Sequence, residues 1–301
     1  MPSPNLAASI TDRSTSSSIA ETDDWSLIIR PQNKLFDLHL DDVWRYRDLL
    51  WMFVRRDFVA VYKQTILGPL WFFIQPLFTT LIFTVIFSGV AQIPTDGFPA
   101  MLFYLAGMTP WNYFSTCLTK TSNTFVANAG IFGKVYFPRL IVPLSIVVST
   151  MIQFGIQFLL FIAVFIYFMA TGANVSPQWG WIAILTPALV VLMATLGLGA
   201  GILVSSLTTK YRDFTFLIGF GVQLMMYATP VIFPMSVVPD RYRWLIQLNP
   251  MTAPIEAFRA IFLGGPIPWS ALGFSTALTA ALLFVGIVIF NKVEKSFMDT
   301  V

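Results

Sequence analysis

The chain has 301 residues, 56% of them hydrophobic and 11% charged, with a mean hydropathy of +0.73. A soluble domain carries about a quarter charged residues, so lipid is the better solvent for this chain. The net charge of +3 is too small for a nucleic-acid surface unless it is concentrated outside the membrane, and the one cysteine, Cys117, excludes an internal disulfide or a thiolate metal cluster.

Residues 1–38 are polar and rich in Ser, Thr and Asp, and read as a disordered cytosolic tail without the basic start and apolar core of a secretory signal peptide. His39, the one histidine, reads as a surface residue. Residues 39–64 follow as an interfacial segment. In it Asp41, Arg45, Asp48 and Arg55 recur at helical spacing, while Trp44, Leu50, Trp51, Phe53, Val54 and Phe58 supply apolar bulk. That pattern predicts a helix lying on the cytosolic leaflet. A plain juxtamembrane anchor is the other reading.

Residues 65–295 carry six stretches near the roughly 20 residues that cross a bilayer. They are 69–91, 99–118, 143–170, 181–207, 214–238 and 271–290. Pro230, Pro234 and Pro239 predict an irregular end to the fifth. With the N-terminus inside, the inner flanks hold Arg55, Arg56, Lys63, Lys120, Lys134, Arg139, Lys210, Arg212, Lys292 and Lys295. The outer loops hold Arg241, Arg243 and Arg259. This bias places both termini in the cytosol. The outer segment 239–268 has apolar runs of about ten residues broken by Pro, Gly or charge, which predicts two short re-entrant or surface helices. The expected fold is therefore an all-α polytopic membrane protein. It has six transmembrane helices, a cytosolic amphipathic helix and two short outer re-entrant helices.

A membrane enzyme needs acids, bases or metal ligands at its reaction centre. The six stretches contain no Asp, Glu, His, Lys or Arg; no catalytic and no metal-ligating residue is assigned. An ion-coupled carrier is weakened by the same gap. No Gly-rich loop ends in Gly-Lys-Ser/Thr, so ATP binding by that route would have to sit on another chain.

Aromatic residues are abundant instead. Trp71, Phe72 and Phe73 open the first stretch, and Tyr104, Trp111, Tyr113 and Phe114 run through the second. Such rings with polar handles can line a path for sugars or form an interfacial belt, and core packing accounts for Phe114 equally well. Gln153 and Gln157 lie four apart on one helix face and suit a helix contact. The Leu196–Gly201 run, LGLGAG, permits close helix approach. Between the second and third stretches, 121–137 is polar with Phe125 and Val126 embedded, then Gly130 and Gly133 as breakers. It predicts a short projecting helix with an aromatic docking surface; a plain basic loop is the alternative.

Three ordered motifs carry a resemblance. The first is Arg56-Asp57, Tyr62-Lys63-Gln64-Thr65, Leu67-Gly68, Trp71 and Gln75-Pro76. The second is Lys134-Val135-Tyr136-Phe137-Pro138-Arg139 with Pro143. The third is Pro230 to Pro234, Leu248-Asn249-Pro250-Met251, Glu256, Arg259 and Gly264. Together, over about residues 40–295, they resemble the permease subunits of polysaccharide ABC exporters, an ABC-2 type family. Val61 stands where members often carry a basic residue.

The resemblance implies one half of a homodimer in the bacterial inner membrane, paired with two copies of a soluble ATPase. Such assemblies export lipid-linked glycans: O-antigen, as in lipopolysaccharide biosynthesis, capsule or teichoic-acid-type polymer. It implies no cofactor on this chain, with ATP and Mg on the partner subunit. By resemblance, Arg55, Arg56, Tyr62, Lys63, Leu67 and Gly68 form a gate and headgroup guide. Trp71, Phe72, Tyr104, Trp111 and Tyr113 would supply path aromatics. Asn123, Phe125, Lys134, Tyr136 and Arg139 would couple to the ATPase through 121–137. Asn249, Pro250, Glu256 and Arg259 would belong to the outer re-entrant segment. An ABC-2 permease exporting another lipid, drug or small amphiphile is the alternative function, and a membrane enzyme the rival of a different class.

Overall fold

Helices account for all the regular structure of the described residues in the computed structural model, which are 44–63, 65–132, 137–208, 211 and 213–297. They lie within one unit, Leu35–Val301. The polar tail, His39, Gln64, Lys134, Tyr136, Lys210 and Arg212 lie outside the described residues.

Helix α1 runs Arg47–Tyr62, free of Gly and Pro, and buries Phe53 and Val54. It stops where Lys63 turns extended. Gly68 then takes φ 48°, a left-handed value that only glycine adopts without Cβ strain, immediately before Pro69. A 3₁₀ turn, Gly68–Leu70, leads into α2, Trp71–Phe83, which continues as a π-helix over Thr84–Val90. The Thr84 hydroxyl bonds back to the Thr80 carbonyl at 2.8 Å just where the ladder widens.

Helix α3, Ala100–Ser122, is buried along most of its length and runs through the main core. Short helix α4, Thr124–Phe132, follows it directly. Helices α5, Ile141–Ala170, and α6, Trp179–Thr208, have 30 residues each, roughly 45 Å at 1.5 Å per residue. Helix α7 is Phe214–Tyr227, the short helices α8 and α9 are Asp240–Gln247 and Thr252–Phe262, and α10 is Trp269–Phe297.

Among the described residues, four segments are long and apolar enough to cross a membrane: Gly68–Val90, Ile141–Ala170, Trp179–Thr208 and Trp269–Lys292. They fit a polytopic membrane protein. Helix α3 matches them in length but carries Thr109, Asn112, Ser115, Thr119 and Lys120, and its polar content keeps it out of that group. The expected fifth stretch, 214–238, is a helix only to Tyr227. Beyond it the chain turns at Ala228 and Pro230, which removes a backbone donor, and Pro234 is extended.

Helix α6 is the packing centre, and its glycines divide the work. A Cβ on Gly197 would lie 2.7 Å from Cys117 Cβ and one on Gly201 2.5 Å from Thr121 Cβ, both on α3. A Cβ on Gly199 would lie 2.8 Å from Leu283 Cα on α10, and one on Gly286 would meet the Gly199 carbonyl at 2.6 Å. Two faces of one helix are thus stripped of side chains so that two neighbours approach its backbone. The Asn112 amide donates to Gln157 Oε1 at 3.4 Å, so one of the two α5 glutamines makes a helix contact.

Candidate functional site

At one end, α1 presents exposed Trp51, Met52, Arg55 and Arg56, with exposed Trp44 just before it. The Arg56 guanidinium pairs with Asp57 at 2.8 Å and stands over the Phe53 ring at 4.7 Å, which holds it against its own helix. Lys63 is exposed beyond the helix end, and Tyr62 is the last residue of α1. Leu67 is partly exposed, while Gly68 is buried in its left-handed turn. Positive charge and a stiff turn therefore adjoin the start of α2.

The expected path aromatics separate into two groups. Trp71 is half-exposed and Phe72 intermediate. Tyr104, Trp111 and Tyr113 are buried inside the chain, at 0%, 3% and 2% exposure. Tyr104 packs among Phe83, Phe87 and Phe103, Trp111 against Phe114, and Tyr113 against Phe154 at 5.1 Å between centroids. The three therefore belong to the core of this chain, not to its surface. Their bulk closes the spaces between α3 and its neighbours.

The coupling segment also departs from expectation. Phe125 faces inward, fully buried, and stacks on Phe290 of α10. Arg139 is buried and stands over the Phe132 ring at 5.6 Å. The Asn123 amide donates to the Thr119 carbonyl at 3.1 Å and closes the end of α3. The exposed positions of α4 are Val126, Ala127 and Gly130. Their small, mostly apolar surface differs from the aromatic one expected with Phe125 on it; the 3.6-residue phase of Phe125, Asn128 and Phe132 as the inward face was the available signal.

The second cluster of buried side chains joins α4 to the charged helix. Phe53 of α1 packs on Phe137, Phe137 on Phe132, and Phe132 on Phe125. The two elements read from the sequence as gate and coupler thus share one core.

At the other end, α8 and α9 build a cap. Ten of the eleven α9 residues are buried, Glu256 being the exception. The carbonyls at its C-terminal end find partners on the loop before α6. Gln178 Nε2 donates to Ala260 and Gly265, and the Gln178 and Ser176 amides donate to Ile261 and Leu263. Gly264 and Gly265, at φ 115° and 118°, let the chain leave α9 under that loop.

Arg259 is the buried cation of the cap. Its guanidinium donates to the carbonyls of Pro230 and Val231, the latter at 2.6 Å, faces Glu256 at 3.5 Å, and lies over the Phe103 ring with Cζ 3.7 Å from the centroid. Burial raises the Glu256 carboxyl, partly opposed by Arg259, and pulls Arg259 down to about 10, which leaves the guanidinium charged at neutral pH. A Cβ at Gly107 would lie 2.5 Å from Arg259 Nη2, so α3 makes room for this side chain. Asn249 Nδ2 donates to Thr229 Oγ1 at 2.6 Å, and the Ser275 hydroxyl donates to the Pro250 carbonyl at 2.6 Å. Among the described residues, no group of three or more His, Cys, Asp or Glu side chains could hold a metal ion.

Residues 48–263, from early α1 to the end of α9, match the family described as ABC-2 type transporter. The chain belongs to the ABC-2 type transporter family. Its relatives within that grouping are specific in name. It is 30% identical over 253 residues to the O-antigen export system permease protein RfbA of Klebsiella pneumoniae, covering 84% of this chain and 94% of that one. It is 27% identical to the protein of that name from Myxococcus xanthus, over 86% and 98% of the two chains. It is 23% identical to the polysialic acid transport protein KpsM of Escherichia coli, over 78% and 89% of the two chains. The ABC-2 match takes in the charged helix, the glycine turn, α4 and the α8–α9 cap. The sequence motifs thus sit on elements that the family shares.

Proposed function

We propose that this chain is the transmembrane permease subunit of an ATP-driven exporter of lipid-linked polysaccharide such as O-antigen, acting from the cytosol across the bacterial inner membrane. The observation that carries the reading is the 30% identity to an O-antigen export permease over 94% of that protein's length. In this reading α2 with its π segment, α3, α5, α6, α7 and α10 make six crossings, both termini face the cytosol, and α8–α9 form a re-entrant cap on the outer side. Two copies assemble with two copies of a soluble ABC ATPase, which binds ATP and Mg.

Arg55, Arg56 and Lys63 lie on the inner leaflet side in this orientation, where a lipid-linked pyrophosphate arrives. Juxtamembrane cations attract such headgroups by about 1 kcal/mol each. Trp71 stands half-exposed one helical turn beyond Gly68, placed to stack on the first sugar. Helix α4 offers Val126, Ala127 and Gly130 to the ATPase.

The test is deletion of the gene in its own bacterium, with surface polymer and cell-associated lipid-linked polymer measured separately. Loss of surface polymer with accumulation inside supports the reading, and restoration by the intact gene closes it. Normal surface polymer in the deletion strain overturns it.

A further inference from the structure

The last residue of α6 reaches the last residue of α3. The Thr208 hydroxyl donates to the Ser122 carbonyl at 2.9 Å, and the Ser205 carbonyl of its own helix lies at 3.0 Å. A hydroxyl has one proton, so the two carbonyls share it. Ser122, Ser205 and Thr208 are all fully buried within the chain.

The Ser122 carbonyl lies where the chain breaks between α3 and α4. The last four carbonyls of a helix lack partners in their own ladder. Here the Thr119 carbonyl accepts from the Ser122 hydroxyl and the Asn123 amide, and the Thr121 carbonyl accepts from the Thr124 hydroxyl. Those bonds are local and travel with the break. The bond from Thr208 comes from a helix 86 residues later and ties the break to it. Nearby contacts set distance more than angle: Gly201 lets α6 approach Thr121, and Phe125 stacks on Phe290 in the middle of α4. A hydrogen bond is directional where such contacts tolerate slip. Buried hydroxyls are costly unless bonded, and an apolar pair would fill the same space, so the polar joint is suited to holding one angle.

We propose that Thr208 is a positioning residue that fixes the angle at which α4 leaves α3, and with it the face that α4 turns to the ATPase. The second part rests on the permease reading above. The hydroxyl touches neither substrate nor ATPase; it acts through the Ser122 carbonyl alone.

The experiment measures hydrogen–deuterium exchange on the full chain in lipid nanodiscs, without ATPase or substrate. Thr208→Val keeps the shape and removes the donor. Hydrogen bonds between helices in membranes add little to overall stability, so the fold should stand while amide exchange over 123–128 rises several-fold. Thr208→Ser should restore it. Thr195→Val is the control: that hydroxyl bonds within its own helix, to the Val191 carbonyl, and its loss should leave 123–128 unchanged. Unchanged exchange at 123–128 in Thr208→Val, no rescue by Thr208→Ser, or an equal rise along the whole of α3 and α6 overturns the positioning role. Should Thr208→Val fail to reach the membrane, Thr208→Ala carries the same comparison. With the ATPase added, Thr208→Val should leave ATPase recovery intact and lower export per ATP hydrolysed several-fold, again restored by Thr208→Ser. Normal export per ATP alongside altered exchange overturns the role in coupling. Failure of the permease reading would show in the deletion strain, and the exchange result would still decide the joint.

Discussion

Phe125 of α4 and Phe290 of α10 stack with ring centroids 4.8 Å apart and planes 27° from parallel. This contact fixes the short helix between α3 and α5 to the far end of the chain. Through Phe132 and Phe137 it also reaches Phe53 of α1. A push on α4 is therefore delivered to the charged helix and to α10 together, because packed cores transmit strain.

Phe125→Ala should remove a fully buried ring and destabilise the chain by about 3–5 kcal/mol. Thermal unfolding of the purified protein in detergent should show a clear drop in Tm. An unchanged Tm would mean that the aromatic cluster does not hold α4.

Val126→Glu tests the opposite face. Val126 is 48% exposed, so its stability effect should stay within about 0.5 kcal/mol. A charge there should nevertheless reduce recovery of the ATPase in a mild-detergent pull-down several-fold. Full recovery of the ATPase would remove this face of α4 from the interface.

Neutralising Arg55, Arg56 and Lys63 to Gln should cut export strongly while membrane level and ATPase recovery persist. All three are exposed, so the loss would report on headgroup guidance and not on folding. Export at the level of the unaltered chain would end that role.

Gly201→Val should be severe because the new side chain meets Thr121 of α3 from 2.5 Å. Overpacking of this kind costs about 1–3 kcal/mol or separates the helices. Gly155→Ala is the control, since a Cβ there meets nothing within 4 Å. Equal Tm losses in the two variants would contradict the close approach of α3 and α6.

Gly68→Ala addresses the turn. At φ 48° a Cβ costs about 1–2 kcal/mol, enough to shift the angle between α1 and α2. The expected outcome is reduced export with normal membrane level. Unimpaired export would show that the left-handed turn is not needed for the work of the gate.

Much of the architecture was legible in the sequence. Long apolar runs place α2, α5, α6 and α10, since a segment without charge has nowhere cheaper to go than lipid. The prolines after Tyr227 announced the end of α7, and the broken apolar runs after Pro239 announced two short helices. LGLGAG announced close packing. What stayed hidden was direction. In a membrane, lipid and protein interior are equally apolar, so hydropathy does not say which face of a helix meets which. Tyr104, Trp111 and Tyr113 therefore read as path residues and proved to be core. Phe125 read as a docking ring and proved to be an anchor. Arg259 read as one more cation of an outer loop; its partners at Pro230 and Val231 lie 29 and 28 residues earlier. Only the fold brings that distant carbonyl pair, the Phe103 face and the gap at Gly107 to one side chain. The sequence by itself determined which segments are apolar enough to cross a membrane, because that depends on local transfer energy. The tertiary structure decided which residues face one another, because that depends on shape matched between segments far apart in the chain.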